Sequence, residues 1–184
     1  MQIKQTKLSG FLIIEPDPII DERGFFMEVY RTDTFAEHGI PTEFVQENHS
    51  SSSARVLRGL HFQWEPKLGK LIRVIRGKAF AVAVDIRPDS PTLGQWSGIE
   101  LSYENKKQVW APSGFATGFC VIGKNADMEY HYTALYNSKG ESNILWNDPK
   151  IDIDWPIENP IVSPRDSNAQ TLEEWLKHPE AHLF

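Results

Sequence analysis

The sequence predicts one all-β domain with small helical additions, and three observations support that fold class. The chain has 184 residues, which is enough for a single domain with a substantial core. Short apolar runs recur at close, fairly even spacing, and turn residues separate them. Little helical pattern lies between the runs, as is typical of an antiparallel sandwich or barrel. Because no internal repeat or domain boundary interrupts the chain, we expect residues 1–184 to form one domain.

The N-terminal part of the chain alternates short apolar runs with turn signals. A helix is favoured over Thr32–His38, because Thr32 or Asp33 can cap its start and Gly39 can close its end. The polar run Asn48–Ser53 is predicted to be a loop, since apolar strands resume directly after it. The other predicted elements are strands at Leu12–Glu15, Gly24–Tyr30 and Glu43–Gln46, and a turn at Asp21–Gly24.

Strand signals become frequent from Val56 onward. Turn residues, among them Arg76-Gly77 and Gly123–Asn125, separate the apolar runs. A helix is predicted at roughly Asn168–Lys177, ending before Pro179. The predicted strands are Val56–Phe62, Lys70–Arg76, Lys78–Ile86, Gly94–Leu101, Gln108–Ala111, Gly114–Ile122, Met128–Ala134 and Asn143–Leu145.

Composition and charge exclude several classes of protein. With 40% hydrophobic and 24% charged residues, the chain has the composition of an ordinary soluble globular protein. A net charge of -6 argues against general nucleic-acid binding, while a local basic pocket could still hold a small anion. The single cysteine, Cys120, excludes an intrachain disulfide framework, and its apolar neighbours favour a buried, inert thiol. No signal-peptide core or membrane-spanning run is present, so we expect a cytoplasmic protein with no membrane partner.

The stretch Val56–Arg73 carries the most informative side chains. It places Arg58, His61 and Lys70 on two short apolar runs joined by a turn that contains proline and glycine. An unpaired charge inside such runs is costly, so these groups need partners or a solvated cavity. A cationic sheet edge would explain any one of them alone. The three together indicate a site for an anionic ligand with a base in it.

Two further candidates have structural as well as functional explanations. Strand alternation places Leu60 and Phe62 on one side and His61 on the other, with Arg58 on a separate parity from His61. A lone strand histidine is more often structural than catalytic, and the case for His61 depends on Lys70 and an acidic partner. The cluster Tyr130, Tyr132 and Tyr136 suits core-edge packing, yet such hydroxyls can donate protons and such rings can stack on a nucleobase.

Motifs for a metal, a nucleophilic triad or a phosphate loop are absent from the sequence. Metal-binding cupins usually show two histidines one residue apart, whereas this chain reads His61-Phe62-Gln63 and contains no H-x-H. The sequence also contains no G-x-S-x-G and no G-x-x-x-x-G-K-[ST]. We therefore expect no bound metal and no cofactor.

Nearly the whole chain resembles the dTDP-4-dehydrorhamnose 3,5-epimerase family of sugar-nucleotide enzymes. The resemblance rests on many motifs that occur in order. They are D-E-R-G-F-F at Asp21–Phe26, F-V-Q-E-N-H-S at Phe44–Ser50, V-L-R-G-L-H-F-Q at Val56–Gln63, G-K-L-I-R at Gly69–Arg73, V-A-V-D-I-R at Val82–Arg87, S-P-T-L-G-Q-W at Ser90–Trp96, I-L-W-N-D-P at Ile144–Pro149, I-D-W-P at Ile153–Pro156 and S-P-R-D at Ser163–Asp166.

The resemblance implies a cupin-like jelly roll with short peripheral helices and no metal, usually a homodimer. It implies that His61 is the general base, Asp166 the acid that orients it, Lys70 the enolate stabiliser and Tyr130 the general acid on the opposite face of the sugar. It also implies that Tyr136 stacks on thymine, and that N-terminal residues, with Arg23 and Glu28 among them, reach the neighbouring subunit's site. The substrate-contacting positions implied are Arg23, Glu28, Gln46, Asn48, Arg58, Tyr136, Glu141 and Arg165.

Two positions depart from the family's pattern. The family commonly has a histidine where this chain has Thr117, which can hydrogen-bond a substrate oxygen but cannot carry a charge. It often has a carboxylate in the cavity where this chain has Ala81. Either change could alter the substrate or limit the reaction to one carbon.

The activity implied is epimerisation of C3 and C5 of dTDP-4-dehydro-6-deoxy-D-glucose to dTDP-4-dehydro-L-rhamnose, in deoxysugar biosynthesis. Both carbons flank the ketone, so their protons become acidic when the enolate is stabilised. The alternatives are a C3- or C5-only epimerase, an enzyme for another nucleotide-linked keto sugar, a non-catalytic sugar-nucleotide binding module, and a metal-dependent cupin.

Overall fold

The computed structural model describes Met1–Phe184 and is built mostly of strands, which confirms the predicted all-β class. The helices are α1 (Thr32–Glu37), α2 (Pro164–Ser167), α3 (Leu172–Trp175) and a 3-10 helix at Pro179–Leu183. None of these helices has the length and apolar character that a membrane crossing requires. The strands are β1 (Gln2–Gln5), β2 (Leu12–Glu15), β3 (Ile19–Asp21), β4 (Gly24–Phe26), β5 (Gln46–Ser53), β6 (Val56–Gln63), β7 (Lys70–Asp85), β8 (Trp96–Ser102), β9 (Gln108–Ala111), β10 (Phe115–Tyr132), β11 (Glu141–Asn143) and β12 (Ile161–Val162).

Two long antiparallel strands, β7 and β10, run through the centre of the fold. Their register shifts in the middle, where Gly77 pairs with Ala126 and Ala79 pairs with Val121. A side chain at Gly77 would lie 2.0 Å from the carbonyl oxygen of Asn125, and its φ of +75° also favours glycine. The residues predicted as turns therefore mark an irregularity inside continuous strands, and the prediction of separate strands on each side was wrong.

The irregularity divides the sheet into two layers. In the first layer, the N-terminal half of β7 pairs with β9 and with the C-terminal half of β10, and β5 pairs with β10 outside them. In the second layer, the C-terminal half of β7 pairs with β8 and with the N-terminal half of β10, followed by β6 and β11. A β-bulge shifts side-chain parity, so inward residues change from even to odd numbers along β7.

Each face of these layers is covered by apolar residues. The central core lies between the layers and includes Ile72, Ala81, Phe119 and Met128. Helix α1 covers the outer face of the first layer, where Phe35 belongs to a cluster with Leu71 and Trp110. The C-terminal segment covers the second layer through Trp175, which packs on Leu60 and Phe62. The central core adjoins an opening that several of the predicted site residues line.

Several local predictions were wrong for identifiable reasons. Asn48–Ser53 belongs to strand β5 and not to a loop, because its even-numbered residues turn towards the interior and its odd-numbered residues towards solvent. The strand predicted at Glu43–Gln46 begins only at Gln46. Helix α1 has Arg31 at its N-cap, with no side-chain cap. The predicted C-terminal helix is confined to Leu172–Trp175, which Thr171 caps.

Candidate active site

A cavity of about 230 Å³ opens between the two layers. A smaller cavity of about 80 Å³ adjoins it and shares His61, Lys70 and Tyr132 with it. Together the two cavities collect most of the predicted site residues into one continuous region. The predicted residues in the larger cavity are Asn48, Arg58, His61, Lys70, Thr117 and Tyr130, and the smaller one adds Tyr136, Glu141 and Arg165.

Strand β6 brings Arg58 and His61 to the same cavity. Thr117 pairs with His61, whereas Phe119 pairs with Arg58, so β6 has one residue more than β10 between the two pairs. Gly59 lies at this bulge, and a side chain there would lie 2.5 Å from the Cα of Gly118. The bulge changes the parity of β6. The prediction of opposite parity for Arg58 and His61 was therefore wrong, because simple alternation does not hold across the bulge.

His61 and Asp166 form a hydrogen-bonded pair. The His61 Nε2 atom lies 2.6 Å from Asp166 Oδ1. Asp166 is 2% exposed, and it also accepts hydrogen bonds from the backbone N–H of Gly59 and from Asn143 Nδ2. Helix α2 fixes its position, because Ser163 caps the helix by accepting the backbone N–H of Asp166. A carboxylate can only accept here, so Nε2 carries the hydrogen and Nδ1 is free to act as a base.

The environment of Asp166 keeps its carboxyl group ionised. Burial opposes ionisation, but the hydrogen bonds from His61 and Gly59 outweigh it and lower the pKa of Asp166 below its ordinary value. An ionised Asp166 stabilises the imidazolium that forms when His61 takes a proton. The pair therefore has the components of a general base.

Lys70 is a buried ammonium group that lies beside His61. Its Nζ donates to the carbonyl oxygen of His61 and to Thr117 Oγ1, both at 2.9 Å. It also lies 5.9 Å from the centre of the Tyr132 ring. Burial lowers the pKa of Lys70 to about 8; the carboxylate of Glu141 opposes this fall and the guanidinium of Arg165 adds to it. The ammonium thus lines the cavity where it can meet a negative oxygen.

Tyr130 occupies the wall opposite His61, since it lies on the first layer and His61 on the second. Its hydroxyl lies 3.0 Å from Ser50 Oγ. Burial raises the pKa of Tyr130 well above its ordinary value, against the opposing effects of Ser50 and Arg58. The phenol is therefore neutral at physiological pH and holds a proton that it can donate.

A second set of hydrogen-bonded polar residues lies at the smaller cavity. The hydroxyl of Tyr136 donates to Glu141 at 3.1 Å, and Arg165 forms an ion pair with the same carboxylate. Gln46 accepts the backbone N–H of Tyr136 at 2.8 Å and donates to Asn48 at 3.0 Å. The Tyr136 ring remains exposed. This arrangement presents a flat aromatic surface and a guanidinium next to the base.

Two predicted residues lie away from both cavities. Arg23 is at the tip of the β3–β4 hairpin, where its guanidinium contacts only Asp21 and its side chain is 85% exposed. Glu28 lies near Arg31, with 3.8 Å between their charged groups. The same hairpin exposes the apolar side chains of Ile20 and Phe26. Within one chain, the structure does not bring Arg23 or Glu28 to the site.

Ser50 and Asn143 were not predicted as site residues, and Tyr132 was named only as a member of the tyrosine cluster. Ser50 was placed in a loop, and the signal that could have located it is the alternation along β5. Tyr132 lines both cavities at the end of β10. Asn143 contacts Asp166 from β11. The two departing positions, Thr117 and Ala81, both line the larger cavity, so any effect they have acts there.

One group of residues on the outer face of the first layer could hold a metal. Ligand atoms of Glu47, Glu129 and His131 lie within 4.8 Å of one another. Arg73 donates to Glu129 at 2.7 Å and supplies the positive charge that this carboxylate needs. The ion pair explains the arrangement without a metal.

Comparison with known proteins gives consistent matches. Residues 5–174 match the family model for dTDP-4-dehydrorhamnose 3,5-epimerase. A dTDP-4-dehydrorhamnose 3,5-epimerase from Shigella flexneri is 49% identical over 172 residues, covering 92% of this chain and 95% of that protein. A dTDP-4-dehydrorhamnose 3-epimerase from Streptomyces niveus is 36% identical, covering 95% and 85%.

A solved structure shows the same fold. It is a dTDP-6-deoxy-D-glucose-3,5-epimerase from Legionella pneumophila in complex with dTDP-4-keto-L-rhamnose, which superposes with a TM-score of 0.92 at 45% identity. The match covers 98% of this chain and 96% of that chain. This likeness confirms the expected cupin-like architecture.

Proposed function

The chain belongs to the dTDP-4-dehydrorhamnose 3,5-epimerase family and is an isomerase of that type, and on this premise we propose its substrate and its catalytic residues. It inverts C3 and C5 of dTDP-4-dehydro-6-deoxy-D-glucose and yields dTDP-4-dehydro-L-rhamnose. The observation that carries this assignment is the His61–Asp166 pair, which faces Tyr130 across a cavity lined by Lys70. Residues 1–184 act as one domain.

Proton abstraction is the task of His61. Its Nδ1 takes the proton from a carbon next to the C4 ketone, and the electron pair of that C–H bond moves into the enolate. Asp166 holds the opposite nitrogen at 2.6 Å and balances the imidazolium charge. Because a base and an acid pair are unnecessary for binding alone, this geometry favours an enzyme over a sugar-nucleotide binding module.

Lys70 stabilises the negative charge that develops on the C4 oxygen. Its ammonium is fixed by the carbonyl of His61 and the hydroxyl of Thr117, so it needs little rearrangement when the charge forms. The low exposure of the group, 8%, strengthens its interaction with an oxyanion. Lys70 must be protonated for this role.

Tyr130 completes the inversion. Its neutral phenol donates a proton to the enolate carbon from the layer opposite His61, and a proton added on that face gives the inverted centre.

The smaller cavity takes the nucleotide end of the substrate. Tyr136 offers an exposed ring for stacking on thymine, and Arg165 offers a guanidinium for a diphosphate oxygen. Arg58 lines the larger cavity from the other side and serves as a second cationic contact. Gln46, Asn48 and Glu141 orient these groups through the hydrogen bonds described above.

The active form is a homodimer located in the cytoplasm. Exposed Ile20 and Phe26 on the β3–β4 hairpin supply apolar surface for contact with a second copy, and Arg23 at its tip can reach the partner's cavity. The buried free thiol of Cys120 is compatible with a reducing compartment. Equilibrium ultracentrifugation of the chain and of Phe26→Ser tests the dimer, which the substitution should weaken.

A C3-only or C5-only epimerase is the second candidate function. Thr117 and Ala81 line the cavity where the family commonly has charged or titratable groups. The relative from Streptomyces niveus is named a 3-epimerase. Loss of such groups could leave one carbon without efficient catalysis, and a reaction at a single carbon would favour this candidate.

Turnover by His61→Ala and Tyr130→Phe tests the assignment of base and acid. Each substitution should reduce kcat by about 10²- to 10⁴-fold, the range of general acid–base catalysis. Matched controls are His38→Ala, directly after α1, and Tyr103→Phe; both residues are exposed and neither lines the two cavities. Unchanged activity in both site variants would contradict the catalytic assignment.

A further inference from the structure

Strand β5 places the hydroxyl of Ser50 within hydrogen-bond distance of Tyr130, the proposed general acid. Asn48 pairs with Tyr130 and Ser50 with Met128, so Ser50 and Tyr130 are diagonal neighbours on the same face of the first layer. The Ser50 Oγ and Tyr130 Oη atoms are 3.0 Å apart, and both residues line the larger cavity. Tyr130 is the one protein group within hydrogen-bond distance of the Ser50 hydroxyl.

The direction of this hydrogen bond follows from the chemistry. A phenol that gives its proton to carbon must point its O–H at the sugar, so Tyr130 cannot also donate to Ser50. The Ser50 hydroxyl then donates to Tyr130 Oη. This donation fixes the direction of the Tyr130 O–H before reaction. It also stabilises the negative oxygen that remains afterwards.

We propose that Ser50 is a positioning residue for the reprotonation step, acting on the sugar only through Tyr130. The proposal rests on the proposed function. The Tyr130 O–H bond breaks and a C–H bond forms from the electron pair of the enolate, while the C4 ketone is restored. The phenolate left behind accepts the Ser50 hydrogen bond until solvent water returns a proton to it, and His61 releases its own proton to water.

The surroundings of Tyr130 make such a donor necessary. Burial, with a smaller effect of Tyr132, raises the pKa of Tyr130 and disfavours the phenolate, and the hydrogen bond from Ser50 is the largest opposing effect. Arg58 adds a weaker electrostatic contribution and is engaged with Ser52 at 3.1 Å. Ser50 is therefore the residue that stabilises the Tyr130 phenolate by a direct hydrogen bond.

Reaction of Ser50→Ala in D₂O tests the proposal. His61 can take a proton and return a deuteron to the same face, which gives labelled substrate without inversion, whereas inversion requires Tyr130. Ser50→Ala should lower the rate of inversion by about 10- to 100-fold, as expected for a lost charge-assisted hydrogen bond. Label in recovered substrate should still form at close to the wild-type rate. An equal fall in both rates, or no fall in inversion, overturns the proposal.

Three comparison variants make the result specific. Ser50→Thr keeps the hydroxyl and should restore inversion. Ser51→Ala removes a hydroxyl that contacts Asp127 on the outer face and should behave like wild type. Tyr130→Phe should lower the rate of inversion by about 10²- to 10⁴-fold and keep label exchange. Retained inversion in Tyr130→Phe would contradict the proposed function, whereas normal inversion in Ser50→Ala beside inactive Tyr130→Phe overturns only the role of Ser50.

Discussion

Replacing Lys70 with methionine should stabilise the folded protein at neutral pH although it removes the proposed enolate stabiliser. The Lys70 ammonium is 8% exposed, and its two acceptors are the neutral His61 carbonyl and Thr117 hydroxyl. Methionine retains most of the apolar stem and carries no charge. The substitution therefore removes a poorly compensated buried cation from the end of the core.

The size of the effect follows from the pKa of Lys70. A fall from 10.5 to about 8 means that keeping the charge in the fold costs about 3 kcal/mol at neutral pH. Lys70→Met leaves two acceptors without their donor, at about 1 kcal/mol each. The net expectation is a gain of about 1 kcal/mol in the free energy of unfolding at pH 7.

The order of stability should reverse in alkali. Since the folded-state pKa of Lys70 lies below its unfolded value, the unfolded chain binds more protons between pH 8 and 10.5. The free energy of unfolding of the wild-type protein therefore increases as the pH rises through that window. Lys70→Met lacks this increase, because methionine does not titrate. By about pH 9.5, about 2 kcal/mol of the cost of keeping the Lys70 charge in the fold should have disappeared. The wild-type protein should then be more stable than Lys70→Met by about 1 kcal/mol.

Urea unfolding of both proteins at equal concentration, at pH 7 and pH 9.5, measures this difference. Lys124→Met, at an exposed position, is the control and should show no comparable reversal. A Lys70→Met protein that is less stable than wild type at pH 7, or a difference that is the same at both pH values, would refute the reasoning.

Three further predictions concern activity. The proposed role of Lys70 requires its protonated form, so kcat/KM should fall above about pH 8, where Lys70 loses its proton; a profile flat to pH 10 would contradict this. Asp166→Asn should lower kcat by about 10²- to 10⁴-fold in steady-state assays, while exposed Asp154→Asn should not, because only Asp166 holds the tautomer of His61. Arg165→Ala should raise KM by about 10- to 100-fold with kcat nearly unchanged, and a selective fall in kcat would instead give Arg165 a role in the chemistry.

The sequence was sufficient to predict the all-β class and most of the site. Arg58, His61 and Lys70 stand within one short stretch, and the motif S-P-R-D identified Asp166 as their partner through the family resemblance. The helix cap at Ser163 explains why that motif is needed, since it fixes the carboxylate in place. The contact between them spans more than a hundred positions, and no local pattern could have revealed it.

The errors arose where tertiary context overrides local signals. Glycine and asparagine residues around Gly77 and Asn125 predict turns, yet the long strands continue through a bulge because neighbouring strands supply hydrogen bonds on both sides. The run Asn48–Ser53 has low strand propensity, but one face contacts a polar cavity and the other faces solvent. Arg23 and Glu28 lie away from both cavities of their own chain, so their predicted role in a neighbouring subunit's site stays a prediction.

Deuterium incorporation from D₂O into dTDP-4-dehydro-6-deoxy-D-glucose, located by NMR, tests the central claim most directly. The proposed site predicts label at both C3 and C5 of the inverted product. His61→Ala should form this labelled product about 10²- to 10⁴-fold more slowly than wild type. Label at one carbon alone would make the protein a monoepimerase. The absence of label at both carbons, with intact folded protein, would contradict the proposed enolate chemistry.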